Sequence, residues 1–283
     1  MKTCFFVLYN IHMIISNEQL QQLQQIELQA MLKFDAICQQ HHLRYTLAAG
    51  TLLGAIRHHG FIPWDDDVDV LMPRADFERL RQVPAVEWGP HYFYQSYATD
   101  PHYKYSYDKL RVNGTYFGEE ALLGTGIRNN GVFIDIFPAD PVSNHRIQRQ
   151  LQVYLYNVVH LLFMFKYINI NHRHGREKQV AQLVRRLFKH VDTDTIRQLM
   201  VKIIRHYDQS NPRYYRAFDS YHVERELYPA CFLTDLKYAP FAGHQFLITR
   251  HYDAMLREYY GDYMQLPPRT QQVNKHHVIG IKL

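Results

Sequence analysis

The chain has 283 residues, 47% hydrophobic and 21% charged, which allows one large domain or two lobes and excludes a disordered composition. Three distant cysteines, Cys4, Cys38 and Cys231, exclude a disulfide framework and a cysteine-based zinc site, so a reducing cytosol is the natural compartment. The formal charge of +5 is uneven: residues 144–216 hold fourteen Lys/Arg against four Asp/Glu, a basic module that points to an anionic partner or to a solvated basic face.

Lys2 and the run Cys4–Tyr9 have the look of a signal peptide, but the run is short and no small-residue cleavage site follows. Residues 1–15 are therefore read as a leader, with Met13 as an alternative start. Ser16 and Gln19 form a capping-box pattern that predicts a helix over 17–41. Tyr45 to Ala49 reads as a buried strand ending in a turn at Gly50, and 51–58 as a short helix. A loop with Gly60 and Pro63 leads to a strand over 67–72, and Pro73 opens a helix through Arg81. Tyr92 to Val112 alternates, which places Tyr103, Tyr105 and Tyr107 on one face of a strand and Lys104, Ser106 and Asp108 on the other. Residues 131–137 form another apolar strand, with Asp135 inside it.

Residues 144–207 read as helix after helix. Gln150 to Phe165 carries no formal charge, yet it is shorter than the ~20 apolar residues of a membrane span and contains Gln152, Asn157 and His160. It reads as a core helix, with a helix lying on a membrane surface as the alternative. A hairpin near 238–248, a helix over 249–260 stopped by Gly261, and an extended tail from Pro267-Pro268 complete the chain. The segments are thus a leader (1–15), a core (16–143), a basic helical region (144–216) and a C-terminal part packing back on the core (217–283).

Asp65, Asp66, Asp67 and Asp69 fall within five positions, and such crowding is costly without a positive neighbour. On a strand, Asp67 and Asp69 share one side, and Asp65 joins them if the strand starts early. Hard oxygen ligands on one face suit Mg²⁺. An acidic surface loop is the alternative, but Val68, Val70 and Leu71 interleave as a buried strand requires. Asp135 lies among Val132, Phe133, Ile134, Ile136 and Phe137, where a lone carboxylate needs a partner. A metal shared with Asp67 and Asp69 would serve, as would a backbone amide or an arginine. Gly50-Thr51 sits at a strand-to-helix turn, where exposed amides bind phosphate. Together these features describe a site for a nucleotide diphosphate and its metals.

Dinucleotide and P-loop glycine motifs and His-Glu-x-x-His are absent from the sequence. The histidine pairs His41-His42, His58-His59 and His172-x-His174 lack cysteine or an ordered carboxylate, so zinc is discounted. Basic residues follow no recognisable nucleic-acid fold, so nucleic acid is discounted as a partner.

Two runs carry a resemblance. Ala49-Gly50-Thr51-Leu52-Leu53-Gly54-Ala55-Ile56-Arg57, followed by Gly60-Phe61-Ile62-Pro63-Trp64-Asp65-Asp66-Asp67-Val68-Asp69-Val70, closely resembles the LicD family of phosphocholine transferases. That family belongs to the nucleotidyltransferase superfamily and is related to fukutin and fukutin-related protein. Ile134-Asp135-Ile136-Phe137-Pro138, the stretch from Tyr260 to Pro268, and His276 or His277 extend the match. The eighteen histidines are a departure that the family pattern does not explain.

The resemblance implies an α/β (α+β) fold, with a nucleotidyltransferase-like mixed sheet flanked by helices and a mainly helical basic insertion. It maps metal-binding carboxylates onto Asp67, Asp69 and Asp135, with two Mg²⁺ or Mn²⁺ ions. It implies a CDP-linked donor, commonly CDP-choline, and a glycan acceptor such as teichoic acid, lipopolysaccharide, capsule or a lipid-linked precursor. The setting would be cytoplasmic, at the inner face of the cell membrane. Asp135 would complete the metal site and deprotonate the acceptor, while Gly50 and Thr51 would offer backbone amides to phosphate. Lys109 or Arg111 would neutralise developing charge, or serve as plain surface charges. Arg57 would do the same or pair with the acidic run. Trp64, Tyr103, Tyr105 and Tyr107 are candidates by position for a quaternary ammonium, or simply pack. Transfer of a polyol phosphate, nucleotidyl transfer, and an inactive glycan- or membrane-binding module stand as alternatives.

Overall fold

The computed structural model describes residues 15–167, 175–207, 212–219, 226–274 and 278–283. Residues 1–14 of the expected 1–15 leader, His172, His174, His276 and His277 lie outside the described residues, while Ile15 is described and buried.

The capping box forms as expected. Gln19 N donates to Ser16 Oγ (3.2 Å), Ser16 N donates back to Gln19 Oε1 (3.1 Å), and helix α1 runs Asn17–Gln40. Next come β1 (Thr46–Leu47), α2 (Ala49–Arg57), β2 (Asp69–Pro73), α3 (Arg74–Leu80) and α4 (Ala85–Trp88). Strands β3 (Tyr92–Gln95), β4 (Asp108–Val112), β5 (Tyr116–Glu119) and β6 (Phe133–Val142) follow. The sheet order is β1-β2-β6-β4-β3; β2 and β6 run parallel and the other neighbours in this order antiparallel. The result is a mixed α/β fold, a curled mixed sheet flanked by helices. Phe34, Leu52, Val70, Leu110 and Ile134 share its main core.

Residues 103–107 do not form the expected strand: β3 ends at Gln95 and β4 starts at Asp108. Local polar bonds win over alternation there. Asp100 N donates to Ser96 O (2.9 Å), and the Asp100 carboxylate accepts from Gln95 Nε2, His102 N and Arg128 N. Tyr103, Tyr105 and Tyr107 still meet as a cluster, with ring centroids 5.1–6.2 Å apart.

The basic region holds α5 (Arg146–Tyr167), α6 (Gly175–Leu187) and α7 (Thr193–Ile204). Tyr156, Phe163, Met200, Ile204 and Phe218 build a second core there. Strand β7 (Tyr214–Arg216) pairs with the far end of β6, and β8 (Leu227–Pro229) pairs with β7. After a short α8 (Cys231–Thr234), β9 (Leu236–Phe241) and β10 (His244–Thr249) make the expected hairpin. Helix α9 (Tyr252–Tyr260) stops at Gly261, whose φ of 67° suits glycine. The tail is extended at its end, where β11 (Val278–Lys282) pairs with β5. Among the described residues, no helix is long and apolar enough to cross a membrane.

Two buried ion pairs clamp α3 and its C-cap to the sheet. Arg74 meets Asp140 through two bonds of 2.7 and 2.9 Å, and Arg81 meets Asp108 through two of 2.7 and 2.8 Å. Burial pushes the Asp108 and Asp140 carboxyls upward, and their arginines pull them back. Removing one partner strands a buried charge. Arg74→Met is therefore expected to cost ~3–5 kcal/mol in urea unfolding. Arg257→Met, which breaks a pair of exposed side chains with Asp253, is expected to leave the urea midpoint close to that of the parent.

Candidate active site

Strand pairing creates a row of three charges. Parallel register sets Asp69 of β2 against Asp135 of β6, and antiparallel register sets Lys109 of β4 against the same Asp135. Side chains at paired positions share a sheet face. Lys109 Nζ lies 2.8 Å from Asp135 Oδ1 and 3.9 Å from Glu119 Oε2. It also sits over the Phe133 ring, 3.3 Å from the centroid. The costly lone carboxylate inferred from sequence thus has an ammonium partner on the neighbouring strand. Burial pushes the Asp135 carboxyl up, Lys109 holds it down, and Glu119 and Asp67 raise it again.

Asp67 reaches this row through the backbone. Asp135 N donates to Val68 O (2.8 Å), so the residues flanking Val68 lie alongside β6 before β2 begins. Asp65, Asp66 and Asp67 precede the strand, and each offers a carboxylate oxygen within 4.8 Å of the others. Asp65 joins Asp67 here through the bend of the loop, since β2 starts only at Asp69. Helix α1 steadies that loop: Gln24 Nε2 donates to Asp65 O (2.9 Å) and Ile62 O (3.3 Å). Clustered hard oxygens of this kind fit Mg²⁺ or Mn²⁺. Asp135 is held by Lys109, outside the consecutive group.

The start of α2 packs onto the acidic loop. A Cβ on Gly50 would lie 2.5 Å from Asp65 Oδ2, so any larger residue there would push that carboxylate aside. Ala49 before it has φ 42°, a left-handed backbone uncommon outside glycine, and such strain collects at functional sites. Thr51 Oγ1 accepts from Asp69 N (2.8 Å), and Ala48 N donates to Asp69 O (3.0 Å). Thr51 therefore positions Asp69 with its hydroxyl, a role that its sequence motif did not disclose.

The remaining expected residues divide. Arg57 turns to the C-terminal segment, donating to Tyr263 O (2.8 Å) and Gln265 O (3.4 Å). Desolvation lowers its pKa, while Tyr260 and Asp65 act the other way. Trp64 is half-buried and meets His58 edge-on, with ring centroids 6.2 Å apart. A surface role for Lys109 or Arg111 is ruled out, because they are 1% and 0% exposed. Arg111 donates to Gln95 Oε1 and Gly131 O, both at 2.8 Å, and braces the sheet beside Glu119.

Three further residues belong to the site: Gln24, Glu119 and Tyr260. The Tyr260 hydroxyl is kept protonated first by desolvation and then by Asp65, Tyr259, Asp69 and Asp67. Helix α9, which ends at Tyr260, packs on α2 next to the acidic loop. Tyr260 stood in a matching stretch of sequence but without a chemical pattern around it. Gln24 lies on an ordinary helix, and nothing in the sequence marks it.

Residues 42–172 match the family model described as LicD/FKTN/FKRP, nucleotidyltransferase domain. That span is similar to a LicD-family domain. It includes the α2 turn, the acidic loop, Lys109 and Asp135. A relative from Haemophilus influenzae, named lipopolysaccharide cholinephosphotransferase LicD, is 28% identical over 249 residues, covering 87% of this chain and 91% of its own. Shorter likenesses, each over 44 residues, are 43% identical in an uncharacterized protein of Rickettsia prowazekii and 41% in one of Rickettsia typhi. Each covers 16% of this chain, with 16% and 14% of the respective relatives.

Within this matched span, Thr51→Val removes the hydroxyl that receives Asp69 N–H. Losing a buried acceptor is expected to destabilise by ~1–3 kcal/mol in chemical unfolding, whereas Thr51→Ser should stay close to the parent.

Proposed function

We propose that this protein transfers phosphocholine from a CDP-linked donor to a cell-surface glycan of the lipopolysaccharide kind, or to its lipid-linked precursor, releasing CMP. The name and extent of the Haemophilus relative support the group and the acceptor class. The observation that carries the chemistry is the register that sets Asp69 beside Asp135, with Asp67 adjoining.

Asp67 and Asp69, with Asp135 next to them, would hold Mg²⁺ or Mn²⁺, in a one- or two-ion arrangement. The metal would draw charge from the donor diphosphate and steady the leaving phosphate. The amides of Gly50 and Thr51, at the positive end of α2, would face phosphate oxygens. Asp135 is suited to take the proton of the acceptor hydroxyl. Burial raises its pKa above that of a surface carboxylate, and the Lys109 ammonium acts in the opposite direction. The acceptor oxygen then bonds to the choline-bearing phosphorus, the bond from that phosphorus to CMP breaks, and the proton rests on Asp135. Trp64 adjoins Asp65 in the chain and offers an aromatic face for the quaternary ammonium.

Incubation with labelled CDP-choline, Mg²⁺ and lipopolysaccharide acceptor should give CMP and labelled glycan in equal amounts. Chelation with EDTA should stop the reaction, and added Mg²⁺ or Mn²⁺ should restore it. Asp135→Asn should lower kcat by roughly 10²–10⁴-fold with the fold intact by circular dichroism. Pyrophosphate release from a nucleoside triphosphate, with CDP-choline inert, would replace this reading by nucleotidyl transfer.

A further inference from the structure

Helix α5 has two unlike faces. Gln152, Tyr156 and Phe163 turn inward, and Gln152 Nε2 donates to the carbonyls of Ile203 and Ile204. Outward lies a stripe at helical spacing: Ile147, Leu151, Tyr154, Leu155, Val158 and Leu161. These are well exposed, Ile147 at 80% and Tyr154 at 65%. One turn beyond Leu161, Phe165 is covered by Ala181 and Val184 of α6. Helix α6 then presents its own exposed row, Val180, Leu183 and Leu187, the last 68% exposed. Exposed apolar rows of this kind mark an interaction surface.

The charge along α5 is of one sign: the helix contains no Asp or Glu. Helix α6 has one acidic residue, Glu177, against four basic ones, and Arg146 and Arg186 stand exposed at the start of α5 and near the end of α6. At the α5 end a cavity of about 420 Å³ opens between Arg146, Arg149, Arg216 and Tyr154. Arg149 Nη1 donates to the carbonyls of Ser143 and Asn144, partners that carry no net charge. Arg146 and Arg149 therefore bring guanidinium groups to the rim of the apolar stripe.

We propose that the α5–α6 face docks on an anionic lipid bilayer, with the apolar stripe at the acyl boundary and the arginines on lipid phosphates. An interfacial helix with a basic rim has this chemistry. A second copy of the same face would set arginine against arginine, so charge complementarity favours lipid. The α5 end nearest the candidate site is linked to it by edge-on and tilted ring contacts. Tyr167 and Phe163 touch Tyr105, Tyr105 touches Tyr107, and Tyr107 touches Phe137, two residues along β6 from Asp135. Docking on this face would hold the charge row close to the bilayer. The inference stands on the helix faces alone and not on the proposed reaction.

Co-sedimentation of the full chain tests it, using vesicles of phosphatidylcholine with and without phosphatidylglycerol. Binding is expected to the phosphatidylglycerol vesicles, to weaken with salt, and to be slight on phosphatidylcholine alone. The triple change Leu151→Ser, Leu155→Ser, Val158→Ser and the double change Arg146→Glu, Arg186→Glu should each lower partitioning at least about tenfold. Both sets lie on exposed positions, and circular dichroism confirms their folding. Asp135→Asn should bind vesicles as the parent does, so failure of the catalytic reading is seen separately. No binding to phosphatidylglycerol vesicles, or binding indifferent to both sets, would overturn the proposal. So would a dimer in light scattering that the serine variant dissolves, which would assign the face to a second copy.

Discussion

Parallel pairing of β2 with β6 is the constraint on which the rest of the site depends. It brings Asp69 beside Asp135, and two carboxylates on adjacent strands repel unless a positive charge is supplied. Lys109 supplies one from the far side of β6, close enough for a direct ion pair. Parallel neighbours also need a crossover of a dozen residues or more. Here the chain between β2 and β6 uses that length for α3, α4 and β3–β5, and so delivers Lys109 and Arg111 on β4 as part of the same connection.

Around this row the backbone is tightly shaped. Gly50 gives way to the Asp65 carboxylate, and Ala49 accepts a left-handed conformation to turn β1 into α2. Thr51 and Ala48 hold the Asp69 peptide from both ends, and Gln24 holds the acidic loop from α1. The acidic groups are therefore set by helices and strands of the main core, as preorganised sites require. Helices α5 and α7 form their own core, and β7 joins it to the far end of β6, away from Asp135.

Much of this was legible in the sequence, where local chemistry decides. Ser16 and Gln19 fix the start of α1, Gly261 fixes the end of α9, and apolar flanks mark Asp135 as a buried acid. What failed to show depends on partners distant in the chain. For Lys109 and Arg111 a role in neutralising charge and a plain surface role stand level until register places them against Asp135 and Gln95. Tyr103 to Tyr107 alternate like a strand, but Asp100 draws the backbone into turns. Gln24 and Tyr260 gain their roles only when α1 and α9 fold back on the acidic loop. The uncharged run in α5 reads as core, since periodicity alone does not say that half of its apolar residues face outward.

The account rests on carboxylates from two strands acting together on a divalent cation that grips a phosphate. Crystals grown with Mn²⁺ and CDP-choline, with diffraction recorded at the manganese edge, test this most directly. An anomalous peak within coordination distance of Asp67, Asp69 and Asp135, touching the donor diphosphate, is the predicted result. A peak confined to Asp65 and Asp66, with Asp135 still bound only to Lys109 and the diphosphate elsewhere, would contradict it.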